Sequence, residues 1–191
     1  MGRLDFPKSL KEFQAQFRDD EACRQYLTAC RWPDGFRCAG CRQPAAFELA
    51  RRGLWQCKTC GQQTSVTEGT ALHRTRLPLT VWFWATYLVT THTPGLSAVQ
   101  LQRQLGISYE TAWALLHKLR RAMVNPEREA LKDKVEVDET YLGGPEAGLK
   151  GGRQLLEKAL IVGAVEVRGK AAGRVRLQVV PDASARSLTG F

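Results

Sequence analysis

Four cysteines, Cys38, Cys41, Cys57 and Cys60, are spaced C-x2-C-x15-C-x2-C. A tight turn brings the two sulfurs of a C-x2-C pair to one point. Two such pairs supply the four thiolates that a tetrahedral zinc ion prefers. All four positions are then filled and none is left for a substrate, so the spacing predicts a structural Zn2+ with no part in catalysis. The alternative is two disulfides, which require an oxidising compartment. The first residues, MGRLDFPKSLKEF, are polar and charged and do not read as a signal peptide.

The other chemical candidate is a carboxylate. Asp138 stands in Val-Glu-Val-Asp-Glu-Thr-Tyr-Leu, residues 135–142, a run that reads as a strand. Carboxylates on rigid strands hold the paired Mg2+ ions of phosphoryl-transfer sites, about 4 Å apart. An acid on a central strand is costly unless it is used or paired, whereas an acid on an edge strand simply faces water. Glu139 points to the opposite face of a regular strand and is not assigned to metal. Asp182, in Pro181-Asp182-Ala183-Ser184, reads as a helix cap.

These residues need elements to position them. Residues 1–30 read as a helical N-terminal segment, with Leu10, Phe13, Phe17, Tyr26 and Leu27 at helical spacing. Cys23 and Cys30, seven apart on one face, are expected as small buried residues and not as ligands. Trp32-Pro33-Asp34-Gly35 is a turn signal. Residues 31–72 fit a zinc ribbon: knuckles CAGC and CKTCG, a hairpin from Phe47 to Gln56 around Arg51-Arg52-Gly53, and a third strand from Gln63 to Thr67. Gly40 is expected to give the first knuckle the backbone freedom its turn needs. Such a module has almost no core of its own, so its fold is expected to depend on metal.

Residues 78–126 read as helical. Pro78 suits a first helical turn, and Trp82, Phe83, Tyr87 and Leu88 are expected in a core. Thr93-Pro94-Gly95 breaks the first helix. Ser97 with Gln100 three residues on has the form of a capping box. Gly106-Ile107-Ser108 makes a turn, and Ser108 caps a second helix running to about Met123. Leu101, Leu105, Ile107, Ala112, Leu115 and Leu119 would pack the two helices across one another as a helix-turn-helix; an ordinary helical hairpin is the plainer reading. In a helix-turn-helix the second helix enters the major groove. Its outward residues would be Tyr109, Glu110, Trp113 and His117, with Lys118, Arg120 and Arg121 meeting phosphates. From residue 132 the chain turns to β, with further apolar runs at Leu160 to Val167 and Val175 to Val180.

The formal charge is +9, falling to roughly +7 once a zinc tetrathiolate is counted. Residues 31–77 hold eight Lys and Arg against three acids, while residues 1–30 are balanced, five against five. The excess gathers on and after the cysteine module, Arg51 and Arg52 included, and favours a polyanionic partner. No apolar run approaches the length of a membrane span. The composition is that of a soluble, intracellular protein.

A zinc ribbon, a helix-turn-helix and then V-E-V-D-E-T-Y-L-G-G with two more strands resembles bacterial insertion-sequence transposases. The class is the one with an N-terminal zinc ribbon and a DDE ribonuclease-H-like catalytic domain. The resemblance runs from Trp32 to Phe191. Its most specific pieces are Val137 to Tyr141 with Gly143-Gly144, and Gly106-Ile107-Ser108 with Thr111-Ala112-Trp113. It implies an α+β multidomain chain: zinc ribbon, helix-turn-helix helical region, and the N-terminal part of a ribonuclease-H-like α/β domain over residues 132–191. It makes Asp138 the first catalytic carboxylate. The family's second aspartate lies near the end of a fourth strand and its third acid on a later helix. The sequence stops after the third strand and the opening of a helix, so the other acids have no match. The expectation is a transposase or its truncated remnant, with Mg2+ only if the catalytic domain is completed. Alone, it is not expected to cut or join DNA. The implied partners are double-stranded DNA at element ends and a further copy or full-length transposase, with no membrane and a cytoplasmic, nucleoid-associated location. A non-catalytic DNA-binding protein or inhibitor derived from a transposase is the alternative, and a zinc-ribbon interaction protein without a DNA role is a third reading.

Overall fold

In the computed structural model the described residues are 6–49, 52–92, 94–124, 129–144 and 158–189. The chain divides into two units, Met1–Asn125 and Pro126–Phe191. The architecture is mixed α+β: helices, a small three-stranded sheet beside the four cysteines, and a second three-stranded sheet.

The N-terminal segment is two helices, α1 (Leu10–Gln16) and α2 (Asp20–Arg31). They are separated where Asp19 turns out of α1 and caps α2, its carboxylate accepting from the Ala22 N–H at 2.8 Å. Phe13, Phe17 and Cys23 are buried. Leu10 opens α1 and is exposed. One expectation fails here: Cys30 is exposed, because the last turn of α2 runs past the aromatic cluster that covers Cys23.

The small sheet has strands β1 (Ala46–Leu49), β2 (Leu54–Cys57) and β3 (Gln63–Ser65), antiparallel in that order. Then comes α3 (Leu79–Thr91), apolar on nearly all sides and buried accordingly. Leu79 and Phe83 pack with Phe13 and Phe17, whereas Trp82 and Ala85 pack with the next two helices. Pro78 stands at its N-cap and offers no side-chain cap. Asp20 of α2 does that work instead: its carboxylate accepts from the Leu79 N–H at 3.1 Å, the Thr80 N–H at 2.9 Å and the Thr80 hydroxyl at 2.8 Å.

Helices α4 (Ala98–Leu105) and α5 (Tyr109–Ala122) follow. The Ser97–Gln100 capping box forms in both directions. Gly106 takes φ +62°, a left-handed conformation that ends α4, and Ser108 accepts from the Thr111 N–H to start α5. Leu101, Ala112 and Leu115 are buried between the helices with Leu116, which the spacing argument passed over; Leu105, Ile107 and Leu119 are half-buried against them.

In the second unit, β4 (Val135–Leu142), β5 (Ala159–Arg168) and β6 (Ala171–Val180) form an antiparallel sheet in chain order, followed by the short α6 (Ala185–Thr189). The hairpin turns at Gly169 with φ +63°, and the register shifts between Val165 and Val167. β6 begins earlier than its apolar run suggested. Alternation along β5 is strict: Leu160, Val162, Ala164 and Glu166 are buried on one face. On the other face Leu142, Val175, Leu177 and Val179 are exposed. No helix among the described residues is long and apolar enough to cross a membrane.

Candidate metal centre and nucleic-acid interface

The four cysteine sulfurs all lie within 4.8 Å of one another. Cys38 and Cys60 are 3.5 Å apart, as are Cys41 and Cys57. A disulfide would hold its sulfurs at about 2.05 Å, so neither pair is bonded. A zinc ion with Zn–S of about 2.3 Å needs sulfurs about 3.8 Å apart at the corners of a tetrahedron. The set therefore fits zinc in donor chemistry, number and spacing.

The two knuckles repeat one backbone design. The Cys38 carbonyl accepts from the Arg42 N–H and the Cys57 carbonyl from the Gly61 N–H, both at 3.0 Å. In each, the residue after the second cysteine is left-handed: Arg42 at φ +60°, Gly61 at φ +74°. The permissive position is thus not Gly40, whose φ is not positive. A Cβ at Gly40 would meet the end of the Gln62 side chain, 2.2 Å from Oε1, an exposed and flexible group that can swing aside.

The knuckles also stabilise charged sulfur. The backbone N–H of Cys60, then that of Thr59, hold the Cys57 thiol down to about 6. Cys41 and Gly40 N–H groups lower Cys38 in the same way. At Cys41 the Gln43 N–H lowers the thiol, but burial and the neighbouring sulfurs outweigh it and push the group up to about 12. Without a cation, four thiolates crowd one another; a divalent metal removes that conflict. Cys23 stands apart from this group, buried in the cluster of Phe13 and Phe17, where burial, with the charges of Asp20 and Asp19, raises its thiol to about 11.

Beside the cysteines, Trp32, Phe36 and Trp55 make a small aromatic cluster, with Phe36 stacked on Trp55 at 5.7 Å. The ribbon thus has more core than its sequence suggested. Arg31 at the end of α2 donates to the carbonyls of Val66 and Glu68 and ties the ribbon to the helix before it.

On α5, Tyr109, Glu110, Trp113, His117, Lys118, Arg120 and Arg121 are all exposed. Trp113 lies against His117 one turn on, ring centroids 4.0 Å apart; among the described residues no other aromatic ring meets it. Arg52 is exposed, and Arg51 lies outside the described residues.

Asp138 is exposed on β4, an outer strand of the described sheet, opposite Gly163. Its Oδ1 accepts from the Glu139 N–H at 2.9 Å. Regular pairing of β4 with β5 puts Glu139 on the other face. The buried strand acid is instead Glu166 on β5, 4% exposed, which the sequence reading did not single out. It accepts from the Lys132 N–H at 2.9 Å, Arg168 Nη2 at 3.1 Å and Arg174 Nε at 2.9 Å. Arg174 first, then the Lys132 N–H, hold its carboxyl well below the usual range. Asp182 accepts from the Ser184 N–H and the Ser187 hydroxyl, with Ser184 itself the cap of α6.

Residues 18–63 match the transposase zinc-ribbon domain of the IS1595 type, and residues 130–191 match the ISXO2-like transposase domain of the same type. The chain belongs to the IS1595 transposase family. Neither a curated protein nor a solved structure matches it.

In this transposase the ribbon match begins at residue 18, so it takes in α2, to which Arg31 binds the module. The DDE-family match contains Asp138 and Glu166. Helices α3, α4 and α5 lie between the two matched stretches.

Proposed function

We propose that this transposase chain binds double-stranded DNA at the ends of its mobile element, with the α4–α5 pair as a helix-turn-helix and the ribbon's arginines as a second contact. The observation that carries the reading is the composition of the exposed arc of α5. Tyr109, Glu110, Trp113 and His117 stand on it with Lys118, Arg120 and Arg121, on a helix whose opposite side is packed against α3 and α4. Base edges would meet the first four and phosphates the cations. Arg51 and Arg52 would add phosphate contacts from the ribbon.

In the DDE-like part, Asp138 is the first metal-binding carboxylate by its place in the motif. Among the described residues it belongs to no cluster of three metal-ligating side chains. The reading keeps binding without cleavage as its expectation for this polypeptide, with a second copy or a full-length transposase as partner. The test is anisotropy of a labelled duplex across salt, with nicking assayed in Mg2+. Binding should weaken linearly on a log–log plot as salt rises. Absent or salt-insensitive binding would refute the DNA reading, and Mg2+-dependent nicking would refute the claim that this polypeptide does not cut.

A further inference from the structure

We propose that Arg74-Thr75-Arg76, outside both family matches and outside the helix-turn-helix, is a phosphate-binding strip that seats a DNA backbone along the flank of α5. The proposal rests on the DNA-binding reading above and extends it to a segment that reading does not use.

The segment runs between the ribbon and α3. Arg74 and Arg76 are exposed, while Thr75 between them and Leu77 after them are half-buried. The inward residue is pinned: the Trp82 indole N–H donates to Thr75 Oγ1 at 2.8 Å, and the Leu77 N–H donates to the same oxygen at 3.1 Å. Trp82 is a buried member of the helical core, 3% exposed, so the strip is fixed to the scaffold that carries α5. Arg74 takes a left-handed backbone, φ +53°, unusual for a residue with a side chain.

The strip forms one wall of a cleft of about 420 Å³ whose other wall is α5. Arg74, Arg76 and Lys118 line it, and Glu110 is the one acid among the lining residues. Lys118 Nζ lies 5.6 Å from the centre of the Trp82 ring. One indole therefore organises both walls: its N–H holds the strip, and its face lies under the lysine. Among the described residues, none of the three cations is ion-paired. A concave site with three unpaired cations, two of them planar guanidiniums, suits phosphate oxygens. At 100° per residue Glu110, Ala114 and Lys118 fall on one side of the exposed arc of α5. A strand seated in the cleft would pass beside that arc, where base edges could be reached. Glu110 then needs no phosphate of its own, since a carboxylate can accept from a cytosine amino group.

The experiment uses the full zinc-loaded chain and a short random-sequence duplex, with Kd measured from about 50 to 200 mM salt. The Arg74→Ala/Arg76→Ala variant should flatten the log–log salt slope by about 2 and raise Kd about tenfold, whatever the duplex sequence. Arg74→Lys/Arg76→Lys should keep most of the slope, which separates lost charge from lost fold. Thr75→Val keeps both arginines but removes the Trp82 hydrogen bond, and should flatten the slope by part of that amount. Wild-type binding with an unchanged slope in the double alanine variant overturns the strip and leaves the DNA reading standing. No binding by the wild type overturns both. Tighter binding of a polyglutamate peptide than of the duplex, lost in the double alanine variant, would reassign the cleft to an acidic protein.

Discussion

The two three-stranded sheets of this transposase are held together in opposite ways. In the ribbon, strands of three or four residues cannot bury enough apolar surface to stay ordered by themselves. Four sulfurs gathered to one point and three clustered aromatics substitute for the missing core. In the second sheet, strands of eight to ten residues sustain a long ladder, and the buried row of β5 ends in an acid locked by two arginine side chains and two backbone N–H groups. Strand length decides which device is needed. A short sheet requires a cross-link, and a long one can hold even a buried charge if its neighbours meet every oxygen.

The contrast breaks most sharply at the metal. Cys57→Ser, or zinc removal by chelation, should collapse the ribbon while residues 79–122 stay helical and the second sheet is untouched. Zinc stoichiometry and amide NMR dispersion report it; one equivalent of zinc still bound to Cys57→Ser would count against the four-cysteine site. A smaller effect is expected at Glu166→Gln, which should speed amide exchange in residues 160–180 by about tenfold or more and leave zinc content alone. Its pH dependence follows from the sign of the shift. The folded carboxyl lies below its unfolded value, so its contribution is full above the unfolded pKa of about 4.3 and is lost as pH falls toward the folded one. Glu166→Gln should flatten that acid limb, and an unaltered limb would show that Glu166 does not set it. The smallest effect is at Cys30→Ser, a surface change expected within about 0.5 kcal/mol in stability and with zinc still at one equivalent. A fall in zinc content there would mean that a fifth thiol takes part.

Local chemistry was legible in the sequence and distant chemistry was not. Each C-x2-C pair, the Ser97–Gln100 box and the Ser108 cap involve residues within a few positions of one another, and each stands where it was expected. The strands around Asp138 and Leu160 were legible from composition. Cys30 was misplaced because helical spacing gives a face but not how far the packing partner extends along it. Gly40 was given a conformational role that belongs to Arg42 and Gly61, since the left-handed residue of each knuckle follows the second cysteine and need not be a glycine. Glu166 sits in an apolar run and was not singled out, because its partner Arg174 comes from another strand. The roles proposed for Asp138 and the α5 residues come from motif and exposure.

The cap that Asp20 places on α3 has a consequence for how the chain folds. The two partners are 59 and 60 residues apart, so the cap closes a long loop whose entropy opposes it. The ribbon lies inside that loop. Once its knuckles are cross-linked, the 22-residue interval from Cys38 to Cys60 no longer counts toward the distance the chain must search. Loop closure scales with the logarithm of length, so the saving is only a few tenths of a kcal/mol. That is enough to fray or firm the first turn of α3, and too little to melt it. Zinc in the ribbon thus acts at a distance as a shortener of chain, helping the helical core to close on a segment made long before it.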